Sequence, residues 1–154
     1  MLHVAKSEVF GRIVALLRER VGLSSRDLAK VLGVGSATVA RIEAGRSVPT
    51  IVQVEAICEA LNRTFAKGDR DECWTPVRVL SLFQHVVAHL GPYYEARWKP
   101  QGDDVLRGRA VVGLIIGPFN EWLASNGDAS SCVFTTDARA ARERAQGAGR
   151  RSLQ

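Results

Sequence analysis

Cysteine is scarce in this sequence. Cys58, Cys73 and Cys132 are odd in number, widely spaced and never arranged as CxxC, which argues against a disulfide framework or a zinc knuckle. Reduced thiols in a cytoplasmic setting are the expectation. Long apolar runs are missing as well. The longest, Ala110 to Phe119, is interrupted by Gly113, Gly117 and Pro118 and falls short of the ~18 residues that read as a membrane span. The first residues lack the basic, apolar and small-residue order of a secretory signal. No nucleophile motif and no phosphate-cradling glycine loop is found, so neither enzymatic activity nor a cofactor is expected. No internal repeat is present.

What remains is an ordinary globular composition. Hydrophobic residues make up 46% and charged residues 24%, which excludes wholesale disorder. A length of 154 residues suits one domain or two small ones. The net charge of +5 is unevenly placed. Residues 1–64 hold nine basic and six acidic side chains, residues 65–136 seven and eight, and residues 137–154 five and two. Basic ends around a nearly neutral middle permit a polyanionic partner without specifying one.

Helical spacing of apolar residues dominates the chain. Val9, Ile13, Leu16 and Leu17 predict a first helix that follows Ser7 as a cap and ends near Val21, before Gly22. A second helix opens at Ser24, with Asp27 in capping-box position, carries Leu28, Ala29, Val31 and Leu32, and stops at Gly33. A third begins at Gly35 or Ser36, faces Val39 and Ile42 inward and ends at Glu43-Ala44-Gly45. A fourth follows Pro49, with Thr50 and Gln53 as a second capping box and Ile51, Val54, Ile57 and Leu61 as its inner face. Residues 66–75 break the periodicity as a linker. Thr75-Pro76 starts a fifth helix, with Val79, Leu80, Leu82, Phe83, Val86, Val87 and Leu90 ending at Gly91-Pro92. A segment from about Asp103 to Ile116 and a short helix opening at Pro118 complete the helical part. The Ala-, Arg-, Gly- and Gln-rich end has too little apolar surface to order itself.

The informative spacing lies in residues 25–44. Two helices of about eight residues meet at Gly33, where a sharp turn needs a residue without a Cβ. Ala29, four residues earlier, is small where the pair must approach closely. Leu28, Leu32, Val34, Val39 and Ile42 are apolar where the two helices face each other. This is the pattern of a helix-turn-helix.

Over Val9 to Phe65 the chain resembles the phage-repressor and Cro-like (Xre) family of helix-turn-helix regulators. The resemblance is carried by Gly22-Leu23-Ser24, Leu28-Ala29-Lys30, Leu32-Gly33-Val34, Thr38-Val39-Ala40-Arg41-Ile42-Glu43, Gly45-Arg46 and Pro49-Thr50. It implies an all-α fold, with a four- to five-helix lambda-repressor-like domain over residues 1–66. A small helical domain then spans 76–126, beyond a linker at 67–75 and before a mostly disordered basic tail at 127–154. It also implies double-stranded DNA as partner, with the helix at 35–43 in the major groove.

Val39 and Ile42 occupy the inner face of that helix, which leaves Ser36, Ala37, Ala40 and Arg41 outward or at its leading end. The resemblance assigns base reading to Ser36, Ala37 and Arg41, and backbone or nearby contact to Thr38. An arginine fork can pair with guanine O6 and N7. Two departures from the family are visible. Ser25 stands where the family usually has a phosphate-binding glutamine, and Gly35 stands where it usually has Ser or Thr. Arg46, in the loop after the third helix, matches a phosphate-contacting position, and Arg12, Arg26 and Lys30 could extend that footprint. Arg18 and Glu43 match positions that form a partly buried ion pair in the family.

The second half is less specific. His85 and His89 have metal-ligand spacing, but the stretch lacks the glutamate of a zinc protease and shows no third ligand nearby. Satisfied histidines and no metal are therefore expected. Trp74, Phe83, Trp98, Phe119 and Trp122 all fall here, and residues 76–126 are read as a surface for homodimerisation or for a protein partner. The function expected is a cytoplasmic, dimeric, operator-binding regulator, most simply a repressor. The alternative is an antitoxin or adaptor whose helical half binds a protein while the first half regulates its own gene. The arginines at 139, 142, 144, 150 and 151 suit either a phosphate contact or a solubilising tail.

Overall fold

The computed structural model describes residues 3–66, 73–96 and 105–126. The expectations for the tail, for Trp98 and Cys132 and for linker residues 67–72 lie outside them. Six α-helices account for most of the described chain: α1 (Lys6–Val21), α2 (Ser25–Leu32), α3 (Ser36–Glu43), α4 (Ile51–Ala66), α5 (Pro76–Leu90) and α6 (Val105–Asn126). The fold is all-α, as expected. Its strand content is two residues each in β1 (Val4–Ala5) and β2 (Tyr94–Glu95), which pair in parallel with Val4 opposite Tyr94. Segments this short carry no periodicity, so the sequence holds no sign of them.

Several helix boundaries follow the chemistry of their caps. The Ser24 hydroxyl accepts a hydrogen bond from the Asp27 amide at 3.0 Å, and Thr75 does the same for Arg78 at 3.1 Å. Thr50 and Gln53 form a reciprocal box, with bonds of 2.9 and 3.1 Å. Each device satisfies amides that the first helical turn leaves without partners.

Four expectations are corrected. Ser7 is not the first cap. Helix α1 begins two residues earlier than that cap implies, with extended Ala5 at its head, and the buried Ser7 hydroxyl instead donates to the Gly45 carbonyl at 2.7 Å. The start is braced by Glu8, whose carboxylate accepts from the Ala5 amide at 3.1 Å. Ile51 is 68% exposed, because it opens α4 before that helix reaches the core; Ile57 and Leu61 are buried as expected. Pro118 does not begin a new helix but sits inside α6. An internal proline costs about 3 kcal/mol, and burial of Val111 and Ile115 before it and Phe119, Trp122 and Leu123 after it holds both sides in one helix. Finally, Cys73 and Trp74 are core residues rather than linker, each 1% exposed.

Trp74 is placed by α4. The Asn62 side chain accepts from the Trp74 amide at 2.6 Å and donates to its carbonyl at 2.8 Å. The indole then stacks on Trp122 of α6, with centroids 5.8 Å apart. Arg78, 8% exposed, lies over both indoles at 4.7 and 5.2 Å. It donates to the carbonyls of Cys73, at 2.9 Å, and of Asn126. The end of α6 is thus fastened to the start of α5. Aromatic faces and carbonyls take the place of water around this guanidinium.

Helix α1 occupies the centre. It packs against α3 and α4 and also against α5 and α6. One cluster of buried side chains runs from Val9, Ile13 and Leu17 through Leu28, Val39 and Leu61 to Leu82, Val86, Val111 and Ile115. The two halves are successive in the chain, and their apolar faces meet across α1.

Candidate nucleic-acid interface

The α2–α3 pair is built around Gly33, whose φ of 68° is left-handed. Such a value suits glycine because no Cβ clashes with the carbonyl. The Gly33 and Val34 amides return to Lys30 and Ala29 at 3.2 and 3.0 Å, which closes α2 before the chain turns into α3. Leu28 and Ala29 from α2 and Val39 and Ile42 from α3 are buried, and this apolar seam sets the angle between the helices.

Burial of Val39 and Ile42 leaves the opposite side of α3 in solvent. Ser36, Ala37, Ala40 and Arg41 are exposed, and Thr38 is half-buried. Gly35 contributes no side-chain cap to α3, and its carbonyl accepts from the Thr38 amide at 3.0 Å. The Arg41 guanidinium donates to Thr38 Oγ1 at 3.2 Å. Two residues assigned separate tasks from sequence are therefore joined, and Thr38 aims one edge of the fork.

On α2, Arg26 and Lys30 are exposed and Ser25 is half-buried at the helix start. The exposed Arg46 follows α3, and its amide donates to the Arg41 carbonyl at 2.8 Å. That amide closes the helix. Arg12 is half-buried, and its guanidinium lies close to Gly108 of α6.

Arg18 and Glu43 meet. Arg18 Nε donates to Glu43 Oε1 at 2.5 Å and a terminal nitrogen donates to Oε2 at 3.3 Å. A third bond, 3.0 Å to the Leu23 carbonyl, ties α1, the chain before α2 and the end of α3 to one side chain. The side chains are 15% and 13% exposed. The hydrogen bond with Glu43 raises the guanidinium pKa above its ordinary value, against the opposing effect of burial. Held in this way, the Glu43 carboxylate is neutralised inside the fold instead of facing a phosphate.

Sequence reasoning passed over the residue that lets α3 sit so close to α1. A Cβ on Gly11 would collide with the Ile42 carbonyl and come within 2.8 Å of the Glu43 carbonyl. The signal was available, since a lone glycine inside a helical pattern often marks a close backbone approach. Beside the interface, Lys6, Ser7, Phe10, Val48, Pro49, Val54, Leu80 and Phe83 line an apolar groove of about 290 Å³.

Residues 9–70 match the family model of a helix-turn-helix domain, of the kind typical of phage-repressor and Cro-like regulators. A domain of this kind is a DNA-binding module. The match ends before α5, so α5 and α6 lie outside it. No curated protein and no solved structure matches the chain. No helix among the described residues is long and apolar enough to cross a membrane.

Proposed function

We propose that the helix-turn-helix domain at residues 9–70 makes this protein a sequence-specific, cytoplasmic transcriptional regulator, with α3 as the helix that enters the major groove of operator DNA. The observation that carries this reading is the outward face of α3, where Ser36, Ala37, Ala40 and Arg41 remain exposed while Val39 and Ile42 are buried. Its leading side chains are small, so the helix backbone can approach the base edges closely. Arg41, steadied by Thr38, supplies the one long donor for a guanine. Ser25, Arg26 and the Arg46 side chain hold the DNA backbone, a contribution that is independent of sequence and sensitive to salt.

One such unit covers a single half-site. Two copies related by a two-fold axis would place two α3 helices about 34–36 Å apart, one turn of the duplex. Residues 76–126 are the region to which this reading gives dimer formation, supported by the exposed apolar side chains of Val77, Leu80 and Ile116. Occupancy of the operator then blocks polymerase, which is repression in its simplest form.

The deciding experiment is selection of bound fragments from genomic DNA by the full chain at a stated salt concentration. A two-fold-related sequence is expected, with affinity falling steeply as salt rises. Failure to enrich any sequence, together with affinity indifferent to salt, would overturn the reading. Sedimentation of the full chain with and without the selected duplex checks the dimer.

A further inference from the structure

The sequence placed His85 and His89 one turn apart on α5 and offered no third ligand. The fold supplies one from α6. The Glu121 Oε1 atom lies 3.6 Å from His85 Nε2 and 3.5 Å from His89 Nε2, and the three donor atoms all fall within 4.8 Å of one another. We propose that His85, His89 and Glu121 form a binding site for a divalent transition metal of the zinc class, bridging α5 and α6.

Three features carry this. The first is spacing. Zinc bonds of about 2.0–2.2 Å to nitrogen and oxygen set neighbouring donors of a tetrahedron about 3.3–3.5 Å apart. The two His–Glu separations, 3.6 and 3.5 Å, already stand close to that spacing, and all three donors fall within 4.8 Å, a gap that rotation of the exposed His89 and Glu121 side chains closes. The second is orientation. His89 Nδ1 lies 2.9 Å from the His85 carbonyl, and a carbonyl only accepts, so Nδ1 carries the proton. The Nε2 lone pair of His89 is thereby left for a metal, which is the outer-shell arrangement of ligating imidazoles. The third is the state of His85 Nε2. It is buried and makes no hydrogen bond among the described residues; at 3.6 Å its approach to Glu121 is too long for one. A cation between these atoms satisfies both.

The donor set selects the metal. Two imidazoles and one carboxylate suit zinc and its first-row neighbours, whereas magnesium and calcium prefer oxygen alone. Three protein ligands leave a fourth position for water. Because the ligands come from two helices, the ion fastens the latter part of α5 to α6, at a place distinct from the Arg78 clamp near the other end of α5.

The test uses the full chain, purified without a histidine tag and stripped with a chelator. Titration with zinc by calorimetry should give one ion per chain and raise the melting temperature. Titration with cobalt should produce the visible absorption of a four- or five-coordinate nitrogen–oxygen site, and magnesium should do neither. His89→Ala and Glu121→Gln alter exposed side chains and should leave the helical circular dichroism unchanged. Each should weaken zinc by more than the roughly 10- to 100-fold that loss of an outer-shell partner costs. Absence of stoichiometric zinc binding would overturn the proposal. So would zinc binding, or a rise in melting temperature, that is equal in the variants and the parent chain.

Discussion

The α2–α3 pair and the α5–α6 pair are joined by different kinds of device. In the first, eight-residue helices are separated by a three-residue turn that holds one left-handed glycine, and the partners that define the turn lie within a few residues. In the second, the fastening residues are far apart in sequence: Arg78 with Asn126, Trp74 with Trp122, and the two histidines with Glu121. The first pair therefore has a local signature that a family can share and a reader can recognise. The second has apolar periodicity in the chain, and its chemistry exists only once the helices have met.

The contrast is sharpest if the two pairs still unfold together, as the shared core through α1 requires. Leu82→Ala, at a fully buried site on α5, should cost ~2–5 kcal/mol. It should move the urea transitions followed by tryptophan fluorescence and by helical circular dichroism together. Two separate transitions would break the picture of one core. Glu43→Ala tests the other pair. It leaves Arg18 largely buried without its carboxylate, at a cost of about 3 kcal/mol, while the double change Arg18→Met with Glu43→Leu should recover most of that loss. A similar loss in the double variant would remove the ion pair as the cause.

Smaller effects concern binding and titration. Arg41→Ala should lower specific affinity by roughly 1–3 kcal/mol with an unchanged melting temperature, whereas Arg46→Ala should weaken all DNA alike and reduce the salt slope by about 1. If both variants act alike on selected and random duplexes, Arg41 does not read bases. The smallest effect lies in α4. Burial, aided by the carboxylates of Glu55 and Glu59, pushes the Cys58 thiol from 9.0 up to about 12. The unfolded chain ionises first, so this thiol's contribution to stability is complete below about pH 9 and is lost as pH rises toward 12. Alkylation of Cys58 at neutral pH should accordingly be slow in the folded chain, as mass spectrometry of its peptide would record.

Much of the first half was legible because its signals are short-range. Gly33, Ser24 and the Thr50–Gln53 box act over three or four residues, and the structure puts each to the expected use. Where the reading failed, a distant partner had intervened. Ser7 had a better acceptor in Gly45, 38 residues away. Pro118 was kept helical by the burial around it, and Trp74 was drawn inward by Asn62. Of the candidate interface, the outward face of α3 followed from the inward one, but the Thr38–Arg41 bond and the closeness of Arg12 to Gly108 did not.

By itself, the sequence determined the helices and the glycine turn of the α2–α3 unit, because backbone conformation and capping depend on neighbours along the chain. Tertiary structure alone decided that α1 serves two faces, that Arg78 lies over two stacked indoles and that a carboxylate from α6 comes beside a pair of histidines. Those arrangements bring together residues far apart in the chain, and no local pattern encodes which side chains a folded core will bring within reach of one another.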